Sequence, residues 1–252
     1  MNNINKTNWL IPPNNRWSFR NISSVFDTVK LSKSDTPFTI PKNLTDLDSF
    51  EFDGLEGKTN LREMLDSSYT DAFVILKDSK IIFEEYQNEM KDNDLHLMNS
   101  VSKSFVGMLI GILENEAKLN TKDKVVQYIP ELQNSAFQET TIQHALDMTA
   151  AVKFTEDYND SSSEFWHEAA VVGWRPDLKN EVSPKNLLEF MASLKETSQK
   201  EFEMFDYRTV LTNILALTAE RACQIKFQDL LQTYIWDKLK TCLLYTSPSP
   251  RD

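Results

Sequence analysis

The sequence predicts an α+β fold, an antiparallel sheet with a helical lobe, from three observations. Two β-rich runs, Phe73-Val74-Ile75-Leu76 and Lys80 to Tyr86, are joined by the turn-prone Lys77-Asp78-Ser79 and read as a hairpin. Apolar residues at helical spacing follow it: Val101, Phe105, Met108, Leu109, Ile112 and Leu113 predict a helix that begins near Ser100. Further helical patterns come at 141–150, 184–195, 207–222 and 226–239.

In chain order, residues 1–45 are rich in Asn, Ser and Pro, with aromatics at Trp9, Trp17, Phe19 and Phe26. Such a segment reads as an extended arm whose aromatics pack on the body that follows, residues 46–241. The hairpin and the long helix occupy residues near 60–120. Leu119 to Leu132 reads as a short amphipathic link, and the polar stretch Thr155 to Glu164 as a lid. No internal repeat or low-complexity tract interrupts the pattern.

The chemistry concentrates at Ser100-Val101-Ser102-Lys103, the only S-x-x-K in the chain. Three residues advance a helix by about 300° and about 4.5 Å, so the Ser100 hydroxyl and the Lys103 amine lie on one side and can touch. A helix start offers unpaired N–H groups and a positive dipole end to a developing oxyanion. Lys103, one turn in among apolar neighbours, is expected to lose solvation and so to accept a proton more readily. This is the layout of a nucleophile beside its own base. S-x-x-K alone also arises by chance, and what singles this one out is its place after a hairpin and at the mouth of a helix. Further on, Tyr207-Arg208-Thr209 precedes the apolar helical stretch Val210 to Ala222, where two hydroxyls on one turn can reach a common pocket.

Together these residues resemble the serine β-lactamase and penicillin-binding-protein superfamily, whose motifs are S-x-x-K, then Y-x-N or Y-x-S, then a K-T-G-like strand. Connecting stretches look closer to its β-lactamase-related branch, which includes 6-aminohexanoate-dimer hydrolase. They are Asn99 to Phe105, Thr141 to Thr149, Glu156-Asp157-Tyr158 through Gly173-Trp174-Arg175, and Phe205-Asp206-Tyr207, matching in order and spacing over most of residues 15–241. The resemblance implies a β-lactamase-like sheet with a helical lobe. It also implies a serine hydrolase that cleaves a small amide or ester through an acyl-enzyme, without a cofactor. In those terms Ser100 is the acylated nucleophile, Lys103 its base and Tyr207 a proton relay to the leaving group. Tyr158 is a lid-side substrate contact, and Thr209 stands where the family has Asn or Ser, on the substrate side. Trp174 and Trp166 line the pocket or plug the loop.

Residues 242–252, from Cys242 to Asp252, read like a translated sequencing adapter, which puts the end of the native text near Thr241. No K-T-G-like strand follows Tyr207, so the expectation is an incomplete hydrolase domain whose C-terminal strands are missing. Two other readings stay open: an inactive fragment with an unpaired sheet edge, and a penicillin-binding-like module that keeps the pocket without the chemistry.

Composition narrows the classes. The 252 residues, 40% hydrophobic, suffice for a real core, and a net charge of −11 argues against a nucleic-acid or anionic-membrane surface. With Cys242 in the suspected adapter, Cys223 stands alone, which excludes a disulfide framework or a cysteine metal site. No apolar leader opens the chain and no window approaches a membrane span, so the expected setting is cytoplasmic. The three histidines, His96, His144 and His167, lack metal-ligand spacing, and His144 reads as a packed or capped core histidine. Glu156 and Asp157 read as surface charges. The expected partner is a small amide or ester substrate, with no nucleic acid, metal or membrane; oligomeric state is not legible.

Overall fold

The computed structural model describes residues 4–55, 57–175, 184–240 and, by backbone alone, 244–246. Residues 242, 243 and 247–252 of the segment read as an adapter lie outside the described residues. In chain order the elements are α1 (Asn14–Ser18), β1 (Val29–Leu31), β2 (Glu51–Gly54), β3 (Gly57–Asn60), α2 (Leu61–Ser67), β4 (Ala72–Lys77) and β5 (Lys80–Tyr86). They continue with α3 (Ser102–Asn115), α4 (Ile142–Leu146), α5 (Glu164–Val171), α6 (Leu187–Ser193), α7 (Thr209–Cys223), α8 (Phe227–Leu231), α9 (Asp237–Leu239) and β6 (Leu244–Thr246). The described strands form antiparallel pairs, β1 with β6, β2 with β3 and β4 with β5, and the chain is α+β as its pattern predicts. It divides into two compact units, Thr36–His96 and the remainder.

The smaller unit carries the predicted hairpin. Asp78 and Ser79 both take positive φ, 50° and 59°, the geometry of a two-residue turn whose twist matches the strands it joins, and Lys77 pairs with Lys80 across it. Helix α2 starts where the Asn60 side chain accepts the Glu63 N–H at 2.9 Å. Leu61 and Leu65 of α2 pack with Phe83 of β5 into a small core, and Arg62 bonds Glu85 and Asp48 on the outside.

The larger unit holds the main core. Helix α3 is preceded by a 3₁₀ turn over Asn99–Val101, so helical backbone does begin around Ser100, though α-helix proper starts at Ser102. Its other end closes with Ala117 in the left-handed region. The Ala117 N–H reaches the Glu114 carbonyl and the Lys118 N–H the Leu113 carbonyl, the pairing that satisfies final helix carbonyls. The buried stripe of α3 is Val106, Leu109, Ile110 and Leu113, rotated from the predicted one: Leu109 and Leu113 are buried as expected, but Val101 is 61% and Met108 47% exposed. Both stripes have the helical period; the buried one, at i, i+3, i+4 and i+7 from Val106, lies one residue further along than the one counted from Val101, which belongs to the 3₁₀ turn.

Helix α7 is buried along most of its circumference, from Val210 to Glu220, and packs against α3 and α4. An almost all-round apolar helix belongs at the centre of a lobe, and that position fixes Tyr207 and Thr209 at its entrance. Helix α5, which begins at the last residue of the polar stretch and is not among the predicted helical patterns, packs against α6 and α7. Among the described residues no helix is long and apolar enough to cross a membrane.

Candidate active site

Asn99 starts the 3₁₀ turn with φ of 45°, a left-handed conformation that Asn tolerates. The Ser102 hydroxyl donates to the Asn99 carbonyl at 2.7 Å and closes the turn. A 3₁₀ turn stacks residues i and i+3 more directly than an α-turn does. The Lys103 Nζ accordingly donates to the Ser100 Oγ at 3.0 Å. Ser100 is exposed and Lys103 half-buried, so the nucleophile faces solvent while its partner is only partly withdrawn from it. Should the amine lose its proton, the same separation lets the serine hydroxyl donate to it.

Tyr207 lies against this pair, with the Lys103 Nζ 5.1 Å from its ring centre. What holds Tyr207 is the residue after it. Arg208 is 1% exposed, and its guanidinium donates to the Ala150 carbonyl at 2.5 Å, to Ser198 Oγ at 3.3 Å and to Asp206 Oδ2 at 2.6 Å. The Asp206 N–H adds a 2.8 Å bond to the Met148 carbonyl. A planar donor fork clamped on three acceptors fixes the backbone on both sides of itself, and that backbone carries Tyr207 and Thr209.

Thr209 opens α7, and the carboxylate of Glu156 caps it from outside the helix. Glu156 Oε2 accepts the Thr209 N–H at 2.6 Å and Oε1 accepts the Thr209 hydroxyl at 2.7 Å. A carboxylate at a helix N-terminus satisfies orphan donors and meets the positive end of the dipole. The Tyr158 hydroxyl donates to the same Oε1 at 2.8 Å, and its ring meets Phe165 edge-on. Desolvation around the hydroxyl, then the bond to Glu156 and its charge, hold the Tyr158 phenol well above the ordinary tyrosine range. Glu156 is therefore not the surface charge its sequence context suggested, because a helix entrance 53 residues away folds onto it. Asp157 remains exposed, its carboxylate accepting the Asn159 N–H and its carbonyl the Ser163 hydroxyl.

Glu168 was not legible as a site residue. It sits on α5 at 2% exposure, with Oε1 accepting from Asn213 Nδ2 of α7 at 2.8 Å and Oε2 buried without a hydrogen-bond partner. Burial pushes its carboxyl up to about 7; the nearby Glu156 charge adds to this, while Asn213 and the charge on Lys103 act the other way. The one sequence hint is a lone carboxyl at the head of the apolar run Ala169 to Val172.

The structure thus places Ser100, Lys103 and Tyr207 against one another, while Glu156 joins Tyr158 to Thr209 at the start of the helix that Tyr207 precedes. Trp174 stands in a different cluster, its carbonyl accepting the Trp9 indole N–H at 3.1 Å and its ring edge-on to Trp9 of the N-terminal arm. Trp9 also meets Phe19 and Phe26. His144 is the N3 member of a capping box: its Nδ1 accepts the Thr141 N–H while Thr141 Oγ1 accepts the His144 N–H. His96 bonds Asp71 at 3.3 Å. Among the described residues no group of three or more His, Cys, Asp or Glu could hold a metal ion.

A serine hydroxyl bonded to a lysine at a helix entrance, on an α+β frame, defines the class of the serine β-lactamases and penicillin-binding proteins. The Beta-lactamase family model matches residues 59–251, and the chain belongs to that family. The 6-aminohexanoate-dimer hydrolase of Paenarthrobacter ureafaciens is 31% identical over 232 residues, which are 92% of this chain and 57% of that protein. A Bacillus anthracis structure, provisionally named a 6-aminohexanoate-dimer hydrolase, superposes with a TM-score of 0.89 at 25% identity over 98% of this chain and 65% of that one. A provisionally named β-lactamase from Bacteroides dorei DSM 17855 shares the fold, with a TM-score of 0.53 at 19% identity over 69% of this chain and 48% of that one. The chain is a β-lactamase-fold homologue of 6-aminohexanoate-dimer hydrolases that spans 57% of the length of its curated relative.

Proposed function

We propose that the chain carries the acylation site of a serine hydrolase that cleaves a short linear amide or ester. The observation that carries this is the 3.0 Å bond between Lys103 Nζ and Ser100 Oγ. Ser100 Oγ attacks the carbonyl carbon, a C–O bond forms, and the Ser100 proton passes to unprotonated Lys103. As the tetrahedral intermediate collapses, the C–N or C–O bond to the leaving group breaks and Tyr207 relays a proton to the departing amine or alcohol. Water then attacks the acyl-enzyme and gives up a proton to the same base; the bond between the acyl carbon and Ser100 Oγ breaks, the base returns a proton to Oγ, and the carboxylic acid leaves. No cofactor enters these steps. Tyr158 and Thr209, joined through Glu156, border the substrate. The likeness to a 6-aminohexanoate-dimer hydrolase supports a linear amide as the substrate class. A cytoplasmic setting accompanies the proposal, supported by the free thiol of Cys223.

A fluorophosphonate tests it, since the probe forms a Ser100 Oγ–P bond with loss of fluoride. Intact-mass spectrometry and peptide mapping should find one adduct on Ser100, none in Ser100→Ala, and labelling of Lys103→Ala slowed by on the order of 10²-fold or more. Unlabelled wild type, or equal labelling of Lys103→Ala, overturns the reading.

A further inference from the structure

His144 and Glu201 form a close pair that the proposed steps leave unused. The His144 Nδ1 of α4 stands 3.1 Å from Glu201 Oε2, and both side chains are largely buried, at 13% and 17% exposure. Nδ1 already accepts the Thr141 N–H at 3.2 Å, which puts the ring proton on Nε2. Glu201 Oε1 accepts the Thr140 hydroxyl at 2.9 Å, while Oε2, the oxygen facing the ring, is buried without a hydrogen-bond donor. Two acceptor atoms thus face each other at hydrogen-bond distance, and one proton between them turns a repulsion into a charge-assisted bond. Nδ1 has a single in-plane lone pair, so it cannot hold that proton and the Thr141 N–H together. Phe202, the next residue, sets its ring edge-on to the imidazole with centres 4.5 Å apart.

We propose that His144 and Glu201 are positioning residues for Tyr207 that act as a proton-operated latch: a proton taken up at Nδ1 moves the imidazole's bond from Thr141 to Glu201 and ties the segment leading to Tyr207 onto α4. The route from the pair to Tyr207 is short. Past Glu201 the Phe202 N–H donates to the Thr149 carbonyl at 3.1 Å, the Asp206 N–H to the Met148 carbonyl at 2.8 Å, and Arg208 to the Ala150 carbonyl at 2.5 Å. Met148 to Ala150 closely follow α4, so the helix that carries His144 also leads into the acceptors that hold Tyr207 on both sides. Without the proton, the Thr141 bond caps α4 and the Glu201 carboxylate is held by Thr140. This inference rests on the reading of Tyr207 as proton relay above.

The charged groups of the surrounding elements are otherwise engaged. On α4 Asp147 accepts from Gln143, and ahead of α4 Asp123 accepts from the Tyr128 hydroxyl and Lys124 pairs with Glu139. On α3 Lys103 lies on Ser100 and Tyr207. Helix α7, which packs on α4, follows Arg208, committed to Ala150 and Asp206, and carries Glu220 and Arg221 at its far end, bonded to the Phe227 N–H and to Glu131. Beside Glu201, the Glu203 carboxylate takes the Lys200 N–H. A charge on His144 is therefore met by Glu201, the carboxylate in contact with its ring.

The experiment follows hydrogen exchange at the Phe202 and Asp206 amides from about pH 8.5 to about pH 5.5, corrected for intrinsic rates, across the range in which a histidine ordinarily changes charge. Wild type, His144→Gln and Glu201→Ala are compared, and Ser100 labelling by the fluorophosphonate is timed on the same samples. In wild type the protection of both amides should rise about three- to tenfold as pH falls, the worth of one charge-assisted bond less the Thr141 bond it replaces. His144→Gln offers an acceptor to Thr141 and a donor to Glu201 at once, so its protection should stay high at every pH. Glu201→Ala has no acceptor for the latch and should stay low at every pH, and either variant decides if the other does not fold. The wild-type labelling rate divided by that of His144→Gln should climb about two- to fivefold over the same fall in pH, a change that a role confined to stability would not produce. Wild-type protection that does not change with pH, the same slope in either variant, or a flat labelling ratio overturns this inference and leaves the proposed function standing. Wild type unlabelled at every pH overturns the proposed function and this inference with it.

Discussion

Ser100 and Lys103 meet within one turn of chain, three residues apart, with the serine exposed and the lysine half-buried. The opposite side of the site is built the other way. Glu156 reaches Thr209 across 53 residues and Glu168 reaches Asn213 across 45, and Glu168 and Arg208 are almost wholly buried. The nucleophile and its base are thus supplied by local helix geometry, which any well-formed turn provides. Their surroundings, which decide where Tyr207 and Thr209 lie, are supplied by tertiary packing. One side should be replaceable at little cost to folding, and the other should not.

The strongest test of that contrast is Arg208. Arg208→Ala empties a buried site and orphans the Ala150 carbonyl, at a cost of about 3–5 kcal/mol in urea unfolding. Asp206, whose side chain is 46% exposed, is rehydrated and adds little. A loss below about 1 kcal/mol would mean that the Tyr207 turn is held by its neighbours and not by the guanidinium. Glu156→Ala comes next, at about 1–2 kcal/mol, because it removes the acceptor of two donors at the start of α7 and a negative charge at its positive end. Glu156→Gln keeps an acceptor oxygen and should lose about half as much. Equal losses would assign the effect to charge and not to capping.

The same contrast explains what the sequence could reveal. The hairpin, the helix behind it and the S-x-x-K pair depend on neighbours within seven residues, so turn residues and period expose them. The Tyr207 motif was found because its text resembles a family pattern, not because spacing points to it. Glu156 reads as surface charge because nothing near Glu156-Asp157 tells that Thr209 folds onto one of the two carboxylates and leaves the other in water. Glu168 was invisible for the same reason: a carboxylate is ordinarily exposed, and its burial follows from α5 packing against α7. The stripe of α3 was misplaced by one residue because Val101 shares the apolar character of the helix but belongs to the 3₁₀ turn, where the period is shorter.

The smallest predicted effect is the sharpest on the local side. Ser100→Ala removes one exposed hydroxyl whose described partner is the half-buried Lys103 amine. Exposed charge-assisted pairs of this kind contribute little, so urea unfolding should move by no more than about 0.5 kcal/mol in either direction, even though labelling vanishes. A gain is the more informative sign, since Lys103 is then free to rehydrate, as expected where a site is kept for chemistry at some expense of stability. A loss above about 1 kcal/mol would place Ser100 among the residues that hold the 3₁₀ turn. The division between a locally built reactive pair and a packed environment would then fail at the residue on which it depends most.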